Sequence, residues 1–353
     1  MIGDRLNRKH LMVYLDLAKG LALTIAFLFA TMNRLNFSAL LIFYGIFGII
    51  SALFDAPTSA MLADLVEPEK LRQAASLNSA AASIAQMIGP AIGGVLYGLA
   101  GIKNVLLFTA IFYFLSALSE MFIKYEYRKR GGKIRVFKEI SESVKFLLRH
   151  RGLKFLFAFA AALNFFSAPF FAVIFPYLFR QELCFPPQAF GVLQTMLMVG
   201  VLFGSILTGT VFSKTSSRKL ITLGLISQTF LGCIVTITLW WLSSAGLALI
   251  ATISYSSFVV MGILNMMVNI PINANLQLLI PSEMRSRVLS TLTFVASGLT
   301  PLGSLIGGLL IDKMNVFALL LVLNLILFGI SMIFVSTAPK EAFLASEVQE
   351  ASG

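Results

Sequence analysis

Apolar residues run in ten stretches, each about long enough to cross a bilayer and each bounded by charges or turn signals. They are His10 to Thr31, Asn36 to Met61, Ala74 to Ala100, Lys103 to Tyr125, Leu153 to Phe179, Phe190 to Phe212, Leu220 to Ser243, Gly246 to Asn273, Val288 to Ile311 and Val316 to Val335. A helix needs about 20 mostly apolar residues to span the hydrocarbon, so the pattern predicts an all-α membrane protein with about ten transmembrane helices. Most connections hold only a few residues. Glu126 to Arg151 is the exception: it is rich in arginine and lysine, and from Phe137 to Leu148 its apolar residues recur at helical spacing. That spacing reads either as an amphipathic helix on the membrane surface or as a solvated linker helix. The chain is expected to divide into a partial bundle of four helices over 1–125, a basic linker over 126–152, a six-helix bundle over 153–337 and a tail over 338–353.

Composition agrees with the pattern. Of 353 residues, 58% are hydrophobic and 12% charged, too few charges to cover the surface of a soluble domain. The formal charge of +11 would suggest nucleic acid in a soluble protein, but its placement gives another reading. If the basic linker faces the cytoplasm, alternating spans put 22 of the 27 Lys and Arg residues on that side. That is the bias that orients membrane proteins, so no nucleic-acid partner is expected and both ends of the chain are expected to be cytoplasmic. Cys184 and Cys233 are far apart and no Cys/His cluster occurs, so no metal site is expected. The chain has no phosphate-cradling P-loop and no nucleophile paired with a base, which argues against an enzyme and for a gradient as energy source.

The chain also repeats itself. Shifted by 214 positions, residues 57–96 match residues 271–310 at 13 of 40 positions without a gap. The matches include Pro57 with Pro271, Glu69 with Glu283, and Gly89, Gly93 and Gly94 with Gly303, Gly307 and Gly308. Two unrelated apolar helices match at Leu and Ala but seldom at a proline, a loop glutamate and three glycines. Parallel repeats of this kind build many transporter folds.

The motifs now suggest a family. Gly3-Asp4-Arg5-Leu6-Asn7-Arg8-Lys9 resembles the Gly-x-x-x-Asp-Arg-x-x-Arg-Lys loop between the second and third spans of major facilitator superfamily transporters. Asp16-Leu17-Ala18-Lys19, the stretch Pro57 to Val66, and Gly89-Pro90-Ala91-Ile92-Gly93-Gly94 follow it. Together they look like the drug-efflux branch that includes macrolide exporters and the enterobactin exporter, and the resemblance covers essentially the whole chain. It implies a major facilitator fold whose first two of twelve helices are missing here, as in a fragment, a protein with a late-assigned start codon or a decayed protein.

The same resemblance marks residues for work. Asp4, Arg5, Arg8 and Lys9 would brace the inward gate. Gly89, Pro90, Gly93 and Gly94 would let one helix approach and bend against its neighbour. Charges inside spans are costly and usually paired or functional. Asp16 and Lys19, three apart on one helix face, can pair, and Asp16 is also a candidate for proton coupling. Asp55 has no basic residue three or four positions away; as a buried carboxyl it would take up and release a proton, whereas near the membrane surface it would be solvated. Its repeat partner is Asn269. Glu120 is a weaker proton candidate. Asn164, Phe165, Gln194, Gln228, Asn265 and Asn269 are candidate substrate-cavity residues, beside an aromatic and methionine surface that includes Phe166, Phe170, Phe171 and Met267.

The expected function is secondary transport. A bacterial inner-membrane exporter of drug- or macrolide-like amphipathic small molecules, working by alternating access and proton antiport, is the leading reading. Expected partners are the substrate, protons and the lipid bilayer, with no cofactor and a monomeric state. Transport of a lysophospholipid or a siderophore is the alternative within the fold, and a non-transporting membrane remnant is the alternative outside it.

Overall fold

The computed structural model describes residues 7–67, 70–125, 144–280 and 282–343. Within them the secondary structure is helical. The basic linker from 126 to 143 and the tail beyond 343, on which sequence expectations fall, lie outside the described residues. The chain forms two compact units, 1–134 and 135–353.

The first unit holds α1 (Arg8–Thr31), α2 (Phe37–Leu65) and α3 (Leu71–Met121). Asparagine side chains start two of them: Asn7 accepts from the Lys9 backbone N–H at 3.1 Å and Asn36 from that of Ala39 at 2.9 Å, filling donors that a helix start leaves free. A straight 51-residue helix would be ~77 Å long, well over twice the hydrocarbon thickness. The break is Gly101, at φ +70° and ψ 171°, a conformation glycine adopts at no steric cost. The sequence expected two spans here; the structure runs them together across one residue, and one segment of α3, Met87–Met121, is long and apolar enough to cross a membrane. α1 packs along α3 through small residues: Ala110 and Ala117 are buried, and Gly20 lies so close to Phe114 that a Cβ would come within 2.8 Å of the ring.

The second unit holds α4 (Arg151–Pro169), α5 (Pro187–Gly209), α6 (Ser217–Trp241), α7 (Leu247–Leu279), α8 (Ser282–Ile311) and α9 (Val316–Thr337). α4 continues through π-helical turns at Phe170–Ile174 and Leu178–Glu182. Pro169 has no N–H to give the Phe165 carbonyl four residues back, and that carbonyl oxygen is what a Cβ at Gly303 of α8 would strike. Gly307, one turn on, sits against Pro169 itself. α5 and α7 meet still more closely: a Cβ at Gly262 would overlap the Leu197 carbonyl oxygen and lie 2.6 Å from the Val201 nitrogen, and one at Gly204 would lie 2.7 Å from Ile263 Cα. Two apolar cores fill the unit. One gathers Phe175, Phe179, Phe185, Phe258 and Phe317, and the other packs Phe159 on Phe334, ring centroids 3.9 Å apart, with Leu153, Ile221 and Phe343.

Seven helices are long and apolar enough to cross a membrane among the described residues, and Ser38–Ser51 and Gly298–Ile311 are shorter apolar stretches. The ten expected spans differ from this count for physical reasons. Two of them share α3, while α2 carries acidic residues past its apolar half and α8 begins with Glu283, Arg285 and Arg287. The repeat is visible in the backbone, since α2 ends at Leu65 and α7 at Leu279, 214 positions on.

A polar tie joins α6 to α9. The buried Asn324 Nδ2 donates to Thr236 Oγ1 at 3.3 Å and to the Leu320 carbonyl at 2.9 Å. Thr236→Val should cost about 1 kcal/mol of unfolding free energy in detergent micelles, because the amide keeps its second acceptor; a calorimetric or denaturant midpoint checks this.

Candidate functional site

A recess of about 250 Å³ opens within the second unit. Four helices contribute carboxamides to it: Asn164 from α4, Gln228 from α6, Asn265 and Asn269 from α7, and Asn324 from α9. Ser167, Thr229 and Ser331 add hydroxyls, while Phe159, Phe170, Phe171 and Met261 supply aromatic and thioether wall. Among the described residues, no charged side chain lines it.

Local helix geometry explains how these amides are held. Asn269 Nδ2 donates to the side-chain and backbone oxygens of Asn265, both at 2.9 Å, from one turn away. Asn164 Nδ2 donates to the Ala160 carbonyl at 2.8 Å. Each side chain is thereby anchored at one atom. The Asn164 oxygen, the Asn265 NH2 group and the whole Gln228 amide have no hydrogen-bond partner among the described residues. These groups are open to the recess rather than buried, and a neutral molecule carrying both donors and acceptors beside an apolar body would match them.

Of the sequence candidates, Asn164, Gln228, Asn265 and Asn269 converge here. Phe165 lines a neighbouring apolar recess of about 150 Å³ with Gly303 and Gly307, and Gln194, on α5, lines neither. Asn324 was missed by sequence reasoning, although a lone asparagine in the most apolar of the spans is itself a signal.

The first unit holds buried charges. Asp16 and Lys19 are 2% and 5% exposed, with Asp16 Oδ1 3.3 Å from Lys19 Nζ. The ammonium lies over the Phe54 ring at 4.0 Å from its centroid and over Tyr113 at 5.1 Å. Lys9 Nζ donates to the Met121 carbonyl at 2.7 Å, a cation at the C-terminal end of α3, where the helix dipole favours one. Gly89, Pro90, Gly93 and Gly94 lie within α3, and Pro90 is inside the helix without ending it. A Cβ at Gly89 or Gly93 would meet no described atom within 4 Å. Asp4 and Arg5 lie outside the described residues, as do the side chains of Arg8 and Asp55. The described residues contain no group of three or more His, Cys, Asp and Glu side chains placed to hold a metal.

The Major Facilitator Superfamily model matches residues 1–303. The chain belongs to the Major Facilitator Superfamily. It is therefore a member of a family of secondary membrane transporters and has that family's all-α fold. Among solved structures, this facilitator is similar to one described as a bacterial metal transporter, with a TM-score of 0.64 and 14% identity over 94% of this chain and 85% of that one. At that identity the likeness speaks for the fold. No curated protein matches the facilitator's sequence.

Proposed function

We propose that this protein exports neutral amphipathic small molecules, drug- or macrolide-like in size and character, by alternating access coupled to proton entry. The observation that carries the reading is the second unit's recess, with carboxamides and hydroxyls from four helices, aromatic walls and, among the described residues, no charge in its lining. A metal ion as cargo is not favoured, because hard and borderline cations seek carboxylates, imidazoles or thiolates and none lines the recess among the described residues. In this reading Asp16 and Asp55 are the proton-coupling candidates, Asp4, Arg5, Arg8 and Lys9 form the gating loop, and the protein works in a bacterial inner membrane with both ends in the cytoplasm.

The test is accumulation of a fluorescent neutral amphipath in cells that lack their own exporters. Cells making the protein should hold less dye than empty-vector cells, and a protonophore should remove the difference; equal accumulation overturns export. Gln228→Leu combined with Asn269→Leu removes two neutral hydrogen-bonding groups worth about 1 kcal/mol each. Apparent affinity should then weaken roughly thirtyfold with the protein still folded, as a concentration series of dye efflux would read.

A further inference from the structure

We propose that Asp16, Lys19 and Glu120 form a single proton-exchange site buried between α1 and α3, with Glu120 holding the exchangeable proton. Glu120 is 8% exposed, and its Oε2 meets no hydrogen-bond donor among the described residues. It comes from the last turn of α3, and Asp16 and Lys19 act on it electrostatically from α1. The site thus holds two carboxyl groups and one ammonium, each at most 8% exposed.

Charge balance carries the inference. Burying an unpaired ion costs several kcal/mol even after the protein relaxes, and the site is neutral only when it binds one proton. Asp16 already has Lys19 at 3.3 Å. The proton therefore resides on the carboxyl that lacks a partner, Glu120. Other groups around it fit this assignment. From α1, Lys9 is committed to the Met121 carbonyl and His10 to the Tyr14 ring at the exposed surface. α2 contributes the Phe47 and Phe54 rings beside Lys19, and α3 itself contributes Tyr113 over the same ammonium.

The aromatic enclosure gives Lys19 a place to remain charged while its carboxylate partner changes. When α1 slides or turns against α3 and lets water in, Lys19 can pass from Asp16 to Glu120; the glutamate gives its proton to that water, which also solvates the Asp16 carboxylate left without its ammonium. No covalent bond is made or broken beyond that proton transfer. Glu120 also lies 104 positions from Asp16 in sequence, so the site exists only when the two helices pack.

The proposal rests on the proton-coupled reading for its use, but its test needs no substrate. Infrared difference spectra of the purified, reconstituted protein across a pH series report protonated carboxyl groups directly. The wild type should show a buried carboxylic-acid band that vanishes as pH rises and that shifts when glutamate alone is 13C-labelled. The band should be absent from Glu120→Gln. In Asp16→Asn one ammonium faces one carboxyl, so Glu120 should pair with Lys19 and the band should vanish at lower pH, a change that a purely structural role would not produce. A band that ignores both the glutamate label and Glu120→Gln overturns the proposal, and the labelling arm decides even if the variant fails to fold. A band that titrates on Glu120 while proteoliposomes show no substrate-driven proton flux supports the site and overturns the antiport reading alone.

Discussion

Lys19→Met is expected to destabilise the first unit by about 3–5 kcal/mol, the cost of leaving one member of a buried ion pair without its partner. Methionine fills nearly the same volume, so the loss reports charge rather than a cavity. Asp16, 2% exposed, would lose the ammonium at 3.3 Å, and the Phe54 and Tyr113 rings would lose the cation they enclose. Cation–ring contacts of this desolvated kind contribute about 2 kcal/mol. The double variant Asp16→Asn with Lys19→Met should recover most of the stability, because both charges go together. Unfolding midpoints in mixed micelles for the two single variants and the double form a cycle that isolates the pair. Equal stability of Lys19→Met and wild type would show that the pair contributes nothing.

Gly262→Leu should separate α5 from α7 and cost at least 1–3 kcal/mol, the usual penalty for overpacking a filled interior. Even a Cβ has no room, since it would overlap the Leu197 carbonyl oxygen and press on Val201 and Gly200. Those are backbone atoms, which cannot swing away as the end of a side chain can. The effect should reach transport as well. α7 carries Asn265 and Asn269 into the recess, while α5 supplies none of its lining, so α5 acts as the surface against which α7 is held in place. Lower thermal stability together with weaker substrate affinity is the expected result; Gly209→Ala, where a Cβ meets no described atom within 4 Å, is the control that should leave both nearly unchanged.

The helices were legible because bilayer thickness limits how long an apolar run can be and charges mark its ends; α1 and α9 begin and finish within about two residues of where the pattern puts them. α4 runs on to Glu182, beyond Phe179, because Pro169 and Pro176 interrupt the hydrogen-bond ladder and the π turns take up the slack. The Asp16–Lys19 pairing was readable from its spacing. Glu120's place beside it was not, since that depends on how α1 and α3 pack. The recess shows the same limit. Asn164, Gln228, Asn265 and Asn269 stand out as polar residues in apolar helices, but so does Gln194, and only helix rotation sorts the four from the fifth. Asn269 also shows how the repeat carries meaning: it occupies the position of Asp55 in the other half, and it lies in a recess without charge.

The one-residue junction at Gly101 bears on how the chain enters the bilayer. The entropic cost of bringing two segments together grows with the length of the loop between them, and here there is almost none to close. Residues 71–100 and 102–121 are therefore expected to enter the membrane in immediate succession, with Lys103 and Asn104 the polar residues at their junction.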